Sequence, residues 1–286
     1  MLTRSPQETN ENSTFLMAGD TYFAKHIVQK AQHKRTYFIK EHSLLFVLQG
    51  QKLLHFPDET LVVEPGTILL LKRGIYAMSD YVPQGINYEA LVVYFTDKLL
   101  NEFLYENPLS ATLPKTDKEY LLLPSDDLLN SFKMQYMAYF KRPYPHIDQL
   151  LQMKVQELFM LLSLGAHKDS VLSFIRSITD KVPLELEYVM QQYLFHPVTL
   201  EELASLSGRS LASFKRDFQA HYHSSPKKWI NQQRLAHARV LLDNTSQNVS
   251  ETAFACGFES VSHFIRIFKK HYGFTPAQNR TNQAIL

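Results

Sequence analysis

The chain of 286 residues contains one cysteine, Cys256. No disulfide can therefore form within it, and such a composition is typical of proteins from a reducing compartment. Residues 1–15 are polar, and no apolar run reaches the roughly 18–20 residues of a membrane-spanning helix. We expect no secretion signal and no contact with a membrane, and predict a cytoplasmic protein. For Cys256, a redox role is conceivable, but a small buried turn residue is favoured.

Catalytic and metal-binding patterns are also lacking. The N-terminal histidines His33, His42 and His55 lie far apart, and no His-x-His pair occurs among residues 1–208, where the β-rich segment lies. Scattered Ser, His and Asp residues do not make a catalytic triad without a supporting geometry. The sequence therefore predicts no enzyme activity, no metal site and no cofactor.

Positive charge is concentrated at one end of the chain. The formal net charge is +2, but residues 209–286 contain eleven Lys and Arg against four Asp and Glu, so residues 1–208 carry about −5. A basic C-terminal segment on a mildly acidic remainder favours binding to nucleic acid.

Within this basic segment a six-position pattern occurs twice, with a spacing of fifty residues. The first copy comprises Phe214, Arg216, Phe218, His221, Tyr222 and Pro226, and the second comprises Phe264, Arg266, Phe268, His271, Tyr272 and Pro276. Aromatic residues at i and i+4 predict the buried stripe of a helix, and the proline follows its end. Both arginines fall between stripe residues, so both should point away from the core. Two helices presenting the same arginine suggest two readers of duplex DNA.

The segments that precede these helices also match each other. Each contains an apolar-plus-alanine helix followed by a glycine, with Ala204 and Gly208 in the first copy and Ala253 and Gly257 in the second. A small residue where two helices cross, followed by a glycine turn, is typical of a helix-turn-helix. Thr199 with Glu202 predicts a capping box at the first unit, and Ser250 or Asn248 could cap the second.

One long helix is predicted between the two units. Its apolar face contains Leu235, Ala238, Leu241 and Leu242, and Asp243–Ser246 end it. A rigid connector would fix the distance between the recognition helices, so that they could enter successive major grooves about 34 Å apart.

From Leu200 to Arg280 the sequence strongly resembles the DNA-binding domain of the AraC/XylS family of bacterial transcription regulators. The matching residues include Arg234-Leu235-x-x-Ala238 and Gly257-Phe258-x-Ser260, and Asn279 departs from the aromatic residue common there. The resemblance implies base contacts by Ala212, Ser213, Lys215, Arg216, Ser260, Val261, Ser262, Ile265 and Arg266. It implies phosphate contacts by Ser210, Lys227, Lys228, Lys269 and Lys270. Arginine is the leading candidate at 216 and 266 because a guanidinium can hold guanine O6 and N7 together, although either could contact phosphate alone.

The N-terminal half has another pattern. Between Thr36 and Phe95, short apolar segments alternate with Gly and Pro turns, which predicts a small β-barrel or sandwich. In an AraC-like protein this half resembles a cupin barrel. Metal-dependent cupins need the His-x-His pair that is missing here, so a cupin enzyme with a DNA-binding appendix is a disfavoured alternative.

A helical region follows the barrel. We predict one helix from Tyr120 to about Phe140, a second from His146 to Leu164, and a further helix or linker from Gly165 to Asp180. The second is apolar on more than one face. It should pack on the barrel and also form a homodimer contact, through Leu151, Val155, Leu158 and Leu162; a wholly intramolecular role is the alternative.

The predicted fold class is therefore α+β, with three regions. Residues 1–120 form an N-terminal arm and cupin-like barrel, 121–180 a helical dimerisation or linker region, and 181–286 the double helix-turn-helix domain. Lys181-Val182-Pro183 is the predicted domain boundary.

The resemblance implies a transcription regulator, more often an activator, that binds double-stranded DNA and contacts RNA polymerase. How it is controlled is open. A small-molecule effector in the barrel, at an unknown site, is one hypothesis. The other is a regulatory protein, because Pro65-Gly66 through Tyr76 and Lys154 through Leu161 resemble the activators of type III secretion genes, which a protein partner governs.

Overall fold

The computed structural model describes residues 2–5, 13–29, 32–82, 87–107, 116, 118–142, 144–179 and 185–283. The fold is α+β, as predicted. Thr3–Lys181 form one compact unit, here called the N-terminal unit, and Val182–Leu286 form the bulk of a second, the C-terminal unit. The predicted boundary residues 181–183 lie outside the described residues.

The N-terminal unit contains two antiparallel sheets. Its strands are β1 (Leu2–Ser5), β2 (Ser13–Ala18), β3 (Thr21–Val28), β4 (Gln32–Ile39), β5 (His42–Gln49), β6 (Gln51–His55), β7 (Thr60–Val63), β8 (Thr67–Leu71), β9 (Gly74–Tyr81), β10 (Tyr88–Phe95) and β11 (Tyr120–Pro124). The five-stranded sheet has the order β1-β4-β9-β6-β7 and the six-stranded sheet the order β11-β8-β5-β10-β3-β2. The strands predicted between residues 44 and 95 are confirmed, but the pattern did not reveal β1 to β3.

Strand β5 is buried on both faces, and this explains why its sequence is a continuous apolar run. Leu45 and Val47 face the core between the two sheets, whereas Leu44 and Phe46 face a second core beneath the helices. A strand that is buried on both faces has no solvent side on which to alternate polar residues.

In the described part of this unit there are also four helices: α1 (Asp97–Glu106), α2 (Asp127–Ala138), α3 (Ile147–Leu164) and α4 (Lys168–Thr179). The single helix predicted from Tyr120 to Phe140 is wrong, because Tyr120–Pro124 pair with β8 as an edge strand. The boundary placed at residue 120 thus falls at β11, and the helices belong to the same compact unit as the barrel. Tyr136 of α2 anchors them, since its hydroxyl donates to the carbonyl oxygen of Val92 at 2.8 Å.

Helix α3 requires a correction to the dimer interface. Leu151, Val155, Leu158 and Leu162 are at most 4% exposed, and all four lie in the core shared by the helices and the six-stranded sheet. These four side chains pack inside the N-terminal unit, so they do not lie on the surface that a second subunit could contact. The opposite face of α3 exposes Met153 (67%) and Leu164 (72%).

The C-terminal unit is all-α in the residues described. Its helices are α5 (Leu186–Tyr193), α6 (Leu200–Leu206), α7 (Leu211–Tyr222), α8 (Pro226–Asn244), α9 (Val249–Ala255), α10 (Val261–Tyr272) and α11 (Pro276–Gln283). The capping box of Thr199 and Glu202 is confirmed, and Asn248, not Ser250, forms the second one with Glu251. The predicted connector is α8, and Asn279 of α11 donates to Asp243 near its C-terminal end. Among the described residues, no helix is long and apolar enough to cross a membrane.

Candidate DNA-binding surface

Helices α7 and α10 are the second helices of the two helix-turn-helix units. Phe214 and Phe218 are completely buried in the core of the first unit, and Phe264 and Phe268 are completely buried in that of the second. These stripes fix the rotation of each helix about its axis. The predicted buried face is confirmed, and the remaining face of each helix is left to solvent.

The residues predicted to contact bases lie on or beside that solvent face. Five are exposed and three are half-buried within the helices, and Ser260 stands exposed at the start of α10. The exposed helix positions are Ala212, Lys215, Arg216, Ser262 and Arg266, and the half-buried ones are Ser213, Val261 and Ile265. Val261 and Ile265 also pack against the core of the second unit. Contact with DNA stays a prediction for all nine.

The predicted phosphate contacts have distinct local settings. Ser210 caps α7 by accepting a backbone N–H with its hydroxyl oxygen, as Ser260, a predicted base contact, does for α10. Exposed Lys227 and Lys228 occupy the first turn of α8, where positive charge opposes the helix dipole. Lys269 and Lys270 lie in the last turn of α10, where the dipole favours them. Helix stability therefore accounts for Lys269 and Lys270 but not for the pair on α8.

Polar contacts around Asp217 distinguish α7 from α10. Its carboxylate accepts from Arg209 Nε, Ser213 Oγ and Arg216 Nε, each at 3.2 Å. Desolvation would raise the pKa of Asp217, but these hydrogen bonds outweigh it and lower the pKa below its usual value. The carboxylate is therefore ionised at neutral pH, beside the arginine that is the leading candidate for base contact.

Arg234 of the connector joins the two helix-turn-helix units. Its guanidinium donates to the carbonyl oxygens of Leu194 (2.7 Å) and His196 (2.6 Å), ahead of the first unit, and of Gly257 (2.8 Å), in the turn of the second. The residue is only 8% exposed, and burial lowers its pKa to about 10, so it stays charged at neutral pH. Sequence reasoning placed Arg234 in the family motif without assigning this role, because its three partners are not near it in the chain.

Gly257 is required at this junction. It has a φ of +78°, and a Cβ atom built on it would lie 2.7 Å from the carbonyl oxygen of Phe195. Because glycine has no side chain, this position permits both the turn and the close approach of the two helix-turn-helix units. Neighbouring Cys256 is fully buried, and burial raises its thiol pKa to about 12. Such a thiol is not a ready nucleophile, in keeping with a structural role.

The barrel of the N-terminal unit encloses a cavity of about 120 Å³. Lys52 forms an ion pair with Asp80 at 2.8 Å inside it, and its ammonium lies 5.3 Å and 5.6 Å from the ring centres of Tyr37 and Tyr88. From the six-stranded sheet, His26 of β3 also lines the cavity and contacts Ser13, and burial lowers the pKa of His26 to about 4. Among the described residues, no group of three His, Cys, Asp or Glu side chains is placed to hold a metal ion.

Comparison with known proteins matches both units. Residues 42–174 match the ExsA N-terminal regulatory domain, and residues 203–282 match a helix-turn-helix domain. The chain is 26% identical over 255 residues to the virulence regulon transcriptional activator VirF of Yersinia enterocolitica, covering 85% of this chain and 91% of that one. It is 24% identical over 245 residues to the regulator ExsA of Pseudomonas aeruginosa, covering 84% and 86%. Both relatives are transcription regulators.

Among solved structures, apo ToxT from Vibrio cholerae aligns over 91% of this chain and 97% of its own, with 14% identity and a TM-score of 0.45. The helix-turn-helix match extends over both helix-turn-helix units, and the relatives align over both halves of the chain. The chain is a DNA-binding transcription regulator that is similar, over most of its length, to regulators of the AraC/XylS family.

Proposed function

We propose that this protein activates transcription by reading a two-part DNA site, with one recognition helix in each of two successive major grooves. One observation carries the proposal: α7 and α10 expose equivalent arginines, Arg216 and Arg266, on the faces opposite their buried phenylalanines. The bridge through Arg234 holds the two helices at one spacing. A rigid pair of readers favours a site whose halves are about 34 Å apart.

The roles of the individual residues follow from chemistry and position. Arg216 and Arg266 would each discriminate a guanine by about 1–3 kcal/mol through a bidentate contact. Lys227 and Lys228 would neutralise phosphates, because helix stability does not explain two cations in the first turn of α8. Activation further requires RNA polymerase as a partner, as the family resemblance implies.

The test is selection of DNA from a random pool by the full-length chain and by Arg216→Ala and Arg266→Ala. We expect two conserved blocks about one helical turn apart, with each substitution relaxing one block. Arg35→Ala is the matched control, since Arg35 is an exposed arginine on β4 of the N-terminal unit. Salt-sensitive binding without sequence preference, or equal effects of all three substitutions, would overturn the two-reader proposal.

Control of the regulator is assigned to the N-terminal unit. Our first candidate is a small polar molecule in the barrel cavity, which contains the Lys52–Asp80 ion pair among tyrosine rings. The cavity is smaller than the roughly 300–1,000 Å³ of drug-sized sites, so its ligand would be compact. Titration calorimetry of the full-length chain with metabolite fractions, repeated on Lys52→Met, tests this. Heat that Lys52→Met abolishes is the expected result.

The second candidate is a regulatory protein partner. The match of residues 42–174 to the ExsA N-terminal regulatory domain supports it, together with the exposed Met153 and Leu164 on α3. The same face would serve a homodimer, since the inner face of α3 is occupied. Co-purification from the host with the native chain and with Met153→Asp separates a partner on this face from a ligand in the cavity.

A further inference from the structure

The two recognition helices differ in what surrounds their arginines. In α7, Arg216 donates through Nε to Asp217 and through Nη2 to Ser213 Oγ, both at 3.2 Å. The equivalent positions in α10 are Ile267 and His263, neither of which is a carboxylate. Within the described part of the chain, Arg266 makes no hydrogen bond or ion pair.

The carboxylate that holds Arg216 is itself held from the turn. Arg209 donates to Asp217 at 3.2 Å and to the carbonyl oxygen of Ser207 at the same distance, and its side chain is only 12% exposed. Through Arg209, Asp217 is therefore linked to the turn of the first helix-turn-helix unit. In the second unit, the position of Arg209 is taken by buried Phe258, so this anchor has no counterpart there.

Arg216 still has donors to offer to DNA. A guanidinium carries five N–H groups, and the contacts with Asp217 and Ser213 use two of them. A bidentate contact to guanine needs two more, and the Arg216 side chain is 78% exposed. The network therefore restricts the orientation of the guanidinium but leaves enough of its N–H donors for a contact with guanine.

We propose that Asp217 is a positioning residue that makes the first recognition helix a stringent reader of one base pair, whereas the second helix is a tolerant reader. The inference rests on the proposed function, because it takes Arg216 to contact a base. A preoriented arginine loses less side-chain freedom when it binds the right base. An ionised carboxylate close to the DNA also opposes binding wherever the arginine contact fails to form.

The test measures base preference at one position. Binding of the full-length chain is compared on four duplexes that differ only at the base pair that Arg216→Ala relaxes. A bidentate arginine contact separates bases by about 5- to 150-fold. We expect Asp217→Asn to lower this ratio by about fivefold or more, to leave the block read by Arg266 unchanged, and to preserve or strengthen binding to non-specific DNA.

Glu259→Gln is the matched control, because it removes the same charge from an exposed residue two positions before the first residue of α10. Should Asp217→Asn and Glu259→Gln alter the affinity for all four duplexes equally, Asp217 acts only through its charge and the inference is overturned. If Arg216→Ala itself relaxes no base pair, the proposed function fails and the inference fails with it. Trp229 packs against the core of the first helix-turn-helix unit, so its fluorescence reports whether each variant is folded. If Asp217→Asn does not fold, the base-preference ratio is measured on Asp217→Ala instead.

Discussion

Replacing Arg234 with methionine should uncouple the two helix-turn-helix units while each keeps its own core. Methionine retains the length of the aliphatic stem but removes the three donors to Leu194, His196 and Gly257. Hydrogen bonds from a charged group contribute about 1.5–3 kcal/mol each. Against this, burial lowers the pKa of Arg234 from 12.5 to about 10, which corresponds to a cost of about 3 kcal/mol for the charged form. The net loss expected for the C-terminal unit is about 3 kcal/mol.

The only tryptophan of the chain provides the assay. Trp229 packs against Tyr222 with ring centres 4.4 Å apart, so its fluorescence follows unfolding of the C-terminal unit in urea. Arg239→Met is the control on the same helix. Arg239 is half exposed, with Asp243 at 3.9 Å, and its replacement should cost about 1 kcal/mol or less.

DNA binding supplies the second readout of Arg234→Met. Because the cores of the two units are separate clusters, each unit should still recognise its own half of the DNA site. The loss should therefore appear as a weaker dependence of affinity on the spacing between the halves. A stability loss no larger than that of Arg239→Met, with unchanged spacing dependence, would refute the assignment of Arg234 as the bridge.

Three further outcomes are expected. Gly257→Ala should destabilise the C-terminal unit by about 2–4 kcal/mol in urea unfolding, since its Cβ would meet Phe195 in addition to the left-handed strain. His26→Gln should lessen acid sensitivity. The pKa of His26 is about 4 when folded, against 6.5, so its stabilising contribution is complete above pH 6.5 and is lost as pH falls toward 4. Leu158→Ala should cost the N-terminal unit about 2–5 kcal/mol, and the folded protein should associate as before.

Each of these has a comparison within the chain. Gly273 has a φ of +85° with nothing near its Cβ position, so Gly273→Ala isolates the backbone strain; equal costs at both glycines would contradict the close approach at Gly257. Exposed His167→Gln serves as the control for the pH profile, measured as unfolding free energy between pH 4 and 7. For α3, Met153→Asp probes the exposed face by sedimentation, and a change in self-association with Leu158→Ala alone would restore the original interface prediction.

Secondary structure could be predicted from the sequence less completely in the N-terminal half of the chain than in the C-terminal half. The strands from β5 to β10 were visible because Gly and Pro turns separate short apolar runs. Strand β3 contains Lys25 and His26 and lacks such a run; it forms because β10, more than sixty residues later, supplies its hydrogen-bonding partner. Tyr120–Pro124 had the composition of a helix start, and only pairing with β8 makes it a strand.

The sequence by itself determined the repeated helix-turn-helix units, their caps and the faces of α7 and α10, because these depend on residues within a few turns of one another. It also determined the placement of the positive charge. Tertiary structure alone decided that the inner face of α3 is core, that Arg234 joins the two units, and that Asp217 is tied to Arg209. Each of these depends on which distant groups meet in space, and burial and hydrogen bonding between such groups leave no periodic pattern in the chain.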